Sequence, residues 1–150
     1  MEIFDLRDKR EFLNEVMELE LLEWSDEEII NIEEKVKKKI DKYNKYVDNN
    51  DFCKLILIDN DSLIGFISLF PFDGEEERNL TPWYATMYVK KEYRGKGYSK
   101  LLNDAILEVA RNRGFKEVYL KTELINYYEK FGAIPVKILS TGEQLLKFVL

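Results

Sequence analysis

The chain has 150 residues, 45% of them hydrophobic, with 23 Lys and Arg against 29 Asp and Glu for a net charge of −6. That is the composition of one soluble domain, large enough to bury roughly two-thirds of the surface its unfolded chain would expose. With no His and a single Cys, it excludes His-based nucleophile activation, an internal disulfide and most zinc site types, so no metal is expected.

Glu2 to Leu6 reads as a short strand, after which Phe12, Leu13, Val16, Met17 and Leu21 fall on one helical face. Ser25 with Glu28 three residues on forms a capping box, and Ile29, Ile32, Val36, Ile40 and Tyr43 line a second helix. Phe52 to Ile58 and Leu63 to Phe70 are β-rich runs joined by Asp59-Asn60-Asp61-Ser62, the pattern of an antiparallel hairpin. Cys53 is read there as a buried strand residue. Pro71 to Pro82 is a polar connection, and Tyr84 to Val89 is a further strand.

Arg94-Gly95-Lys96-Gly97-Tyr98-Ser99 follows that strand and opens a helix whose apolar face is Leu101, Leu102, Ala105, Ile106, Val109 and Ala110, ending at Arg111-Asn112-Arg113-Gly114. A strand from Lys116 to Lys121 comes next, then a short helix from Glu123 to Phe131 closed by Gly132. Two more strands, Ile134 to Leu139 and Gln144 to Leu150, flank Ser140-Thr141-Gly142. No repeat or interdomain linker interrupts the pattern, so residues 1–150 are expected to form a single domain. The segment Met1 to Leu6 lacks a basic then apolar leader and no apolar run is long enough to span a bilayer; a cytoplasmic protein without membrane contact is expected.

The glycine-bearing turn has the geometry of a phosphate site. It frees successive backbone N–H groups where the first turn of a helix has donors without intrahelical partners and a positive dipole end. Five of the eleven residues from Lys90 to Lys100 are basic against one acid, Glu92, which points to a polyanion such as a nucleotide diphosphate. The P-loop pattern fails because one residue separates the two glycines and no Gly-Lys-Ser follows, and the dinucleotide pattern fails because only one strand-helix-strand unit is present.

Charge also divides along the chain. Residues 1–77 hold 22 acids and 10 bases, and residues 78–150 hold 7 acids and 13 bases, giving −12 and +6. Solvated acidic helices account for this, as does a basic half that holds an anionic ligand beside an acidic half that attracts a cationic one. Nucleic acid is disfavoured by the small basic cluster and the acidic remainder.

Arg94-x-x-Gly97-x-Ser99 after a Tyr-Val strand end resembles the coenzyme A pyrophosphate loop of the GNAT superfamily of acyl-CoA-dependent N-acetyltransferases, Gln/Arg-x-x-Gly-x-Gly/Ala, with Ser99 departing at the last small position. Tyr127-Tyr128-Glu129-Lys130-Phe131-Gly132 resembles the Tyr-Glu-Lys-x-Gly signature of the same superfamily, and the likeness covers roughly Trp83 to Pro135. It implies a mixed α/β sheet in the order β-α-α-β-β-β-α-β-α-β-β, splayed between strands four and five, with acetyl-CoA as co-substrate. Met87, Tyr88 and Val89 would then supply backbone hydrogen bonds to the pantetheine arm. Arg94, Gly95, Lys96, Gly97, Tyr98, Ser99 and Lys100 would cradle the pyrophosphate.

The resemblance further implies an acetyltransferase in which an amine attacks the thioester directly, in a ternary complex, while strand-four N–H groups hold the oxyanion and Tyr128 protonates the departing thiolate. Trp83 to Val89 contains no acid, so the glutamate common on strand four in the family is missing. A water relay to Asp73, Glu75, Glu76 or Glu77 is one substitute, against the reading of that run as a solvated loop, and Tyr84 or Tyr88 is placed to contact the acceptor. Ala133 replaces the aromatic residue common after the signature glycine. The expected partner is a small-molecule or peptide amine, a cationic one suiting the acidic half, and the expected state a monomer or homodimer. A non-catalytic acyl-CoA sensor, and an interaction module whose loop binds another nucleotide, are the alternatives.

Overall fold

The computed structural model describes residues 1–25 and 30–150. Seven strands, β1 (Glu2–Asp5), β2 (Cys53–Asp59), β3 (Ser62–Phe70), β4 (Trp83–Val89), β5 (Glu117–Thr122), β6 (Ile134–Ile138) and β7 (Gln144–Val149), form one sheet in the spatial order β1-β2-β3-β4-β5-β7-β6. Among the described residues three α-helices accompany it: α1 (Leu13–Trp24), α2 (Ile32–Tyr46) and α3 (Tyr98–Asn112). No described helix is long and apolar enough to cross a membrane.

Strands β2 and β3 are buried on both faces, which is why they read as nearly continuous apolar runs. Side-chain alternation sends Leu55, Leu57, Ile67 and Leu69 into a core with Leu102, Ile106 and Ala110 of α3. Ile56, Ile58 and Phe66 meet Val16 and Met17 of α1 and Val36 and Tyr43 of α2 on the other face. Asn60 and Asp61 turn the β2–β3 hairpin with φ of 50° and 62°, the left-handed pair that a tight hairpin with the sheet's own twist requires.

Every pairing is antiparallel except that of β4 with β5. Those two parallel strands share one register pair, Trp83 with Tyr119, and the Tyr119 N–H donates to the Pro82 carbonyl at 3.0 Å. Beyond that point β4 loses its neighbour: Trp83 and Tyr84 are buried, whereas Ala85 to Val89 are only half-buried. The splay between the fourth and fifth strands is therefore present in the mixed α/β sheet.

Several local expectations are corrected. The short helix over Glu123 to Phe131 is a single 3-10 turn, Tyr128–Phe131. Helical hydrogen bonding is interrupted upstream, where Thr122 Oγ1 accepts from the Leu124 N–H at 3.0 Å and Asn126 takes φ 58°. Leu101 is 47% exposed while Leu102, Ile106 and Ala110 are fully buried; the buried stripe runs along the i, i+4 row through Leu102, and Leu101 lies about 100° away from it. In the capping-box reading, Glu28 and Ile29 lie outside the described residues, and α2 follows Asn31, which has φ 56°.

The acidic connection between β3 and β4 is a strap tied down at three of its acids, while Glu75 remains exposed as a solvated run would have it. Glu76 accepts from the Ser140 N–H at 3.0 Å and from its hydroxyl at 2.6 Å, Glu77 pairs with Lys137, and Asp73 pairs with Lys121 at 3.8 Å. Glu75 pairs with Arg78 at 3.0 Å. These contacts tie the loop to β5, β6 and the β6–β7 turn, on the β5 side of the splay.

Two outcomes check this packing. A Cβ at Gly65 on β3 would collide with the Tyr88 carbonyl and Val89 Cα of β4, so Gly65→Ala is expected to cost about 1–3 kcal/mol, read as a lower urea midpoint with unchanged slope. Cys53 is 3% exposed, and burial, with Asp5 adding to it, pushes its thiol up to about 12. It should resist a thiol reagent at pH 8 until the protein unfolds, and rapid labelling of the native chain would contradict that burial.

Candidate active site

The open seam beside β4 forms a cleft of about 430 Å³. Met87, Tyr88 and Val89 line one wall, Arg94, Gly95, Gly97, Tyr98 and Ser99 close one end, and Tyr127 and Tyr128 face in from the far side of the seam. Nine of the residues singled out in the sequence, including Tyr128, thus share one space. Lys96 and Lys100 do not: both are exposed outside it, and Lys100 pairs with Asp104 at 2.7 Å.

The local chemistry of the turn suits an anion. Gly95 and Gly97 have φ of 79° and 83°, and a Cβ at either would meet nothing within 4 Å, so glycine is needed for the backbone conformation and leaves open space above it. Gly97 caps α3 with no side-chain hydrogen bond, and no acid occupies the helix's first turn, so the leading N–H groups of α3 keep their donor capacity. Arg94 lies against the strand: its Nε–H donates to the Val89 carbonyl at 2.8 Å and its guanidinium sits 5.7 Å from the Tyr88 ring centre. Lys90 pairs with Glu15 of α1 at 2.6 Å and adds no free charge to the loop.

On the far wall, Tyr127 and Tyr128 stack edge to face at 4.8 Å, and Tyr128 also meets the edge of Tyr84 at 5.7 Å. Burial, with Tyr127 as the second cause, pushes the Tyr128 hydroxyl up to about 12. It therefore keeps its proton across the neutral range. Tyr84 turns away from the acceptor side: it is 3% exposed, its hydroxyl donates to Asn103 Oδ1 on α3 at 2.8 Å, and burial drives its ionisation upward. Tyr88 stays on the α1 face, stacked on Phe66 and edge-on to Trp24.

One residue of the cleft was not legible from motifs. Glu23, in the last turn of α1, lines the cleft opposite the tyrosines and is its one carboxylate among the described residues. Among the described residues no ion pair engages it. Its position follows from the docking of α1 on β3 and β4, which local periodicity does not specify. A second cavity, about 230 Å³, lies between α2 and the end of β3 with Tyr43, Tyr46, Phe52 and Phe70 in its walls, and contains none of the motif residues.

The sheet, the seam and the glycine turn are the features that the GNAT resemblance implies. A profile of the family described as "Acetyltransferase (GNAT) family" matches residues 13–133, and the chain belongs to that family. N-alpha-acetyltransferase 30 of Schizosaccharomyces pombe is 33% identical over 95 residues, which are 60% of this chain and 63% of that protein; the match thus spans less than two-thirds of the relative. Among solved structures, an aminoglycoside 6'-N-acetyltransferase complexed with coenzyme A superposes with a TM-score of 0.73 at 18% identity, over 99% of this chain and 97% of the other. The ribosomal-protein-alanine N-acetyltransferase of Brucella melitensis does so with 0.69 at 19% identity, over 100% of both chains.

Gly97→Glu sets bulk and negative charge where the loop donors converge, without a protein clash. It is expected to weaken coenzyme A binding by about 10²-fold or more while the chain stays folded, and Lys96→Ala by less than about threefold. Calorimetric titration with coenzyme A decides it, since unchanged affinity in folded Gly97→Glu would reject the loop as the pyrophosphate site.

Proposed function

We propose that this chain transfers the acetyl group of acetyl-CoA to a primary amine by direct attack within the β4–β5 seam. The observation that carries the reading is the convergence of the β4 backbone, the Gly95–Ser99 turn, Tyr128 and Glu23 on one cleft. The turn and the leading N–H groups of α3 hold the pyrophosphate, and Met87 to Val89 pair with the pantetheine amides as a strand would. The thioester then lies between β4 and Tyr128.

The acceptor enters from the α1 side, and Glu23 takes its proton, so that the amine lone pair is free to attack. The C–N bond forms, β4 N–H groups hold the oxyanion, and collapse breaks the C–S bond. The leaving thiolate, whose conjugate acid titrates near about 8.5, is held or protonated by the Tyr128 hydroxyl. Glu23 fills the place left by the missing strand-four acid and needs no relay through the strap.

The acceptor that fits best is the N-terminal α-amine of a peptide. Leu124, 50% exposed, lines the cleft together with Glu23, and Glu23 is its one carboxylate among the described residues, a lining for a chain bearing one charged end rather than for a polycation. Two relatives named above carry names of that kind, and the acids of the strap are already engaged with Lys121, Lys137, Arg78 and Ser140.

Thiol release from acetyl-CoA with a panel of peptides, aminoglycosides and polyamines tests the reading. Peptides are expected to turn over fastest. Tight coenzyme A binding with no release on any acceptor would make the chain a sensor, and faster polyamine turnover would overturn the peptide assignment. Tyr128→Phe should lower kcat by about 10²-fold to 10⁴-fold with little change in coenzyme A affinity, and Tyr127→Phe much less.

Glu23→Gln should lower kcat/KM by about 10-fold to 10²-fold at pH 7, with the deficit narrowing above the α-amine pKa near about 8, where the acceptor arrives already neutral. A deficit independent of pH would remove Glu23 from the proton's path. Because Tyr128 is pushed up to about 12, the rate of the unmodified protein should show no tyrosine-dependent fall below about pH 10.

A further inference from the structure

Lys54 on β2 is 2% exposed and lies 5.6 and 5.2 Å from the ring centres of Phe66 and Phe70. Its ammonium donates to Glu20 Oε2 of α1 at 2.7 Å and to Ser68 Oγ of β3 at 2.6 Å. Glu20 is 6% exposed and also pairs with Lys39 at 3.4 Å. Burial alone would raise the Glu20 carboxyl, but Lys54 and Lys39 together outweigh burial and hold it below its ordinary value. Well-packed apolar groups in place of such a pair are often as stable or more so, so the pair invites a role other than stability.

The connectivity of the hydrogen bonds shows where the pair acts. An ammonium has donors only, so Ser68 Oγ must accept from Lys54. Ser68 is fully buried, and Thr86 Oγ1, 2.7 Å away, is the other side-chain atom bonded to it. The two hydroxyls bond to each other, either one being able to donate, so the chain Lys54–Ser68–Thr86 is continuous. Thr86 is the bulge of β4: the register passes from Ser68 opposite Ala85 to Phe66 opposite Tyr88, so Thr86 and Met87 together face the single residue Ile67. Thr86 has φ 52°, a conformation that β-branched residues rarely adopt.

We propose that Lys54 is a positioning residue for acyl transfer, acting through Ser68 to hold Thr86 in the bulge and so to set how the Met87–Val89 backbone faces the thioester. A one-residue bulge decides which side of a strand each later group presents. Loss of the bulge would turn Met87, Tyr88 and Val89 over with respect to the seam. The inference rests on the proposed use of that backbone and concerns a residue that touches neither substrate.

Glu20→Gln combined with Lys54→Met removes both charges and leaves no buried ion unpaired. The protein is expected to fold with an unchanged or higher Tm and to bind coenzyme A within about tenfold of normal through the glycine turn, while kcat falls by about 10²-fold. Thr86→Gly added to that variant should restore kcat to within about threefold of Thr86→Gly alone, because glycine takes φ 52° without side-chain support. If the double variant does not fold, Ser68→Ala cuts the link and leaves the ion pair, and the same fall in kcat and the same rescue are expected.

Normal kcat in the folded variant, or a deficit that Thr86→Gly leaves in place, would overturn the proposal. Failure of the unmodified protein to release thiol with any acceptor would instead overturn the acetyltransferase reading, and the two failures are distinct.

Discussion

A sheet that stops pairing in its middle leaves backbone donors and acceptors on an inner strand with no strand partner, and such groups are costly unless something else satisfies them. Strand β4 is in that position from Ala85 to Val89: it keeps β3 on one side, and its contact with β5 ends at the Trp83–Tyr119 pair. The remaining architecture is organised around this seam. β3 anchors β4 from behind, with Gly65 admitting the Tyr88 carbonyl at close range. The strap over residues 71–82 is fastened by Glu76, Glu77 and Asp73 to the far half of the sheet, which holds that half in place without filling the gap. An amide-bearing arm that pairs with the exposed edge of β4 is the natural complement of such a seam.

Each component at the seam meets a different demand. The glycine turn presents donors and open space, Tyr128 presents a phenol that keeps its proton, and Glu23 presents a carboxylate from a helix that packs on the opposite face. The division of charge between the two halves of the chain is reflected only in part. Lys90 and Lys100 are already paired with Glu15 and Asp104, and the acids of the strap are engaged in holding the sheet together. Backbone geometry therefore carries the proposed anion site more than net charge does.

Much of the fold was legible because its signals are local. The β2–β3 hairpin is marked by Asn60 and Asp61, α3 by the Leu102, Ile106 and Ala110 stripe, and the proposed cofactor turn by glycines that have the left-handed φ their motif requires. The helix over 123–131 is absent because Thr122 and Asn126 break the helical backbone and Leu124 and Ile125 are left exposed instead of forming a buried face. Glu23 was not legible because its role depends on where α1 docks, and Lys54 was hidden inside an apolar strand run whose one charged residue is balanced by Glu20, 34 positions earlier. Long-range partnerships of this kind leave no periodic trace. The bulge at Thr86 is equally silent, since nothing in the run from Trp83 to Val89 departs from an ordinary strand pattern.

The central claim is that thioester and amine meet in one seam and react without an acylated protein. Initial-rate kinetics with both substrates varied, followed by thiol release, tests it most directly, because the single cysteine is buried and should not contribute to the signal. Double-reciprocal plots should intersect, as a ternary complex requires. Parallel lines, with acetyl-labelled protein recovered in the absence of acceptor, would contradict the account.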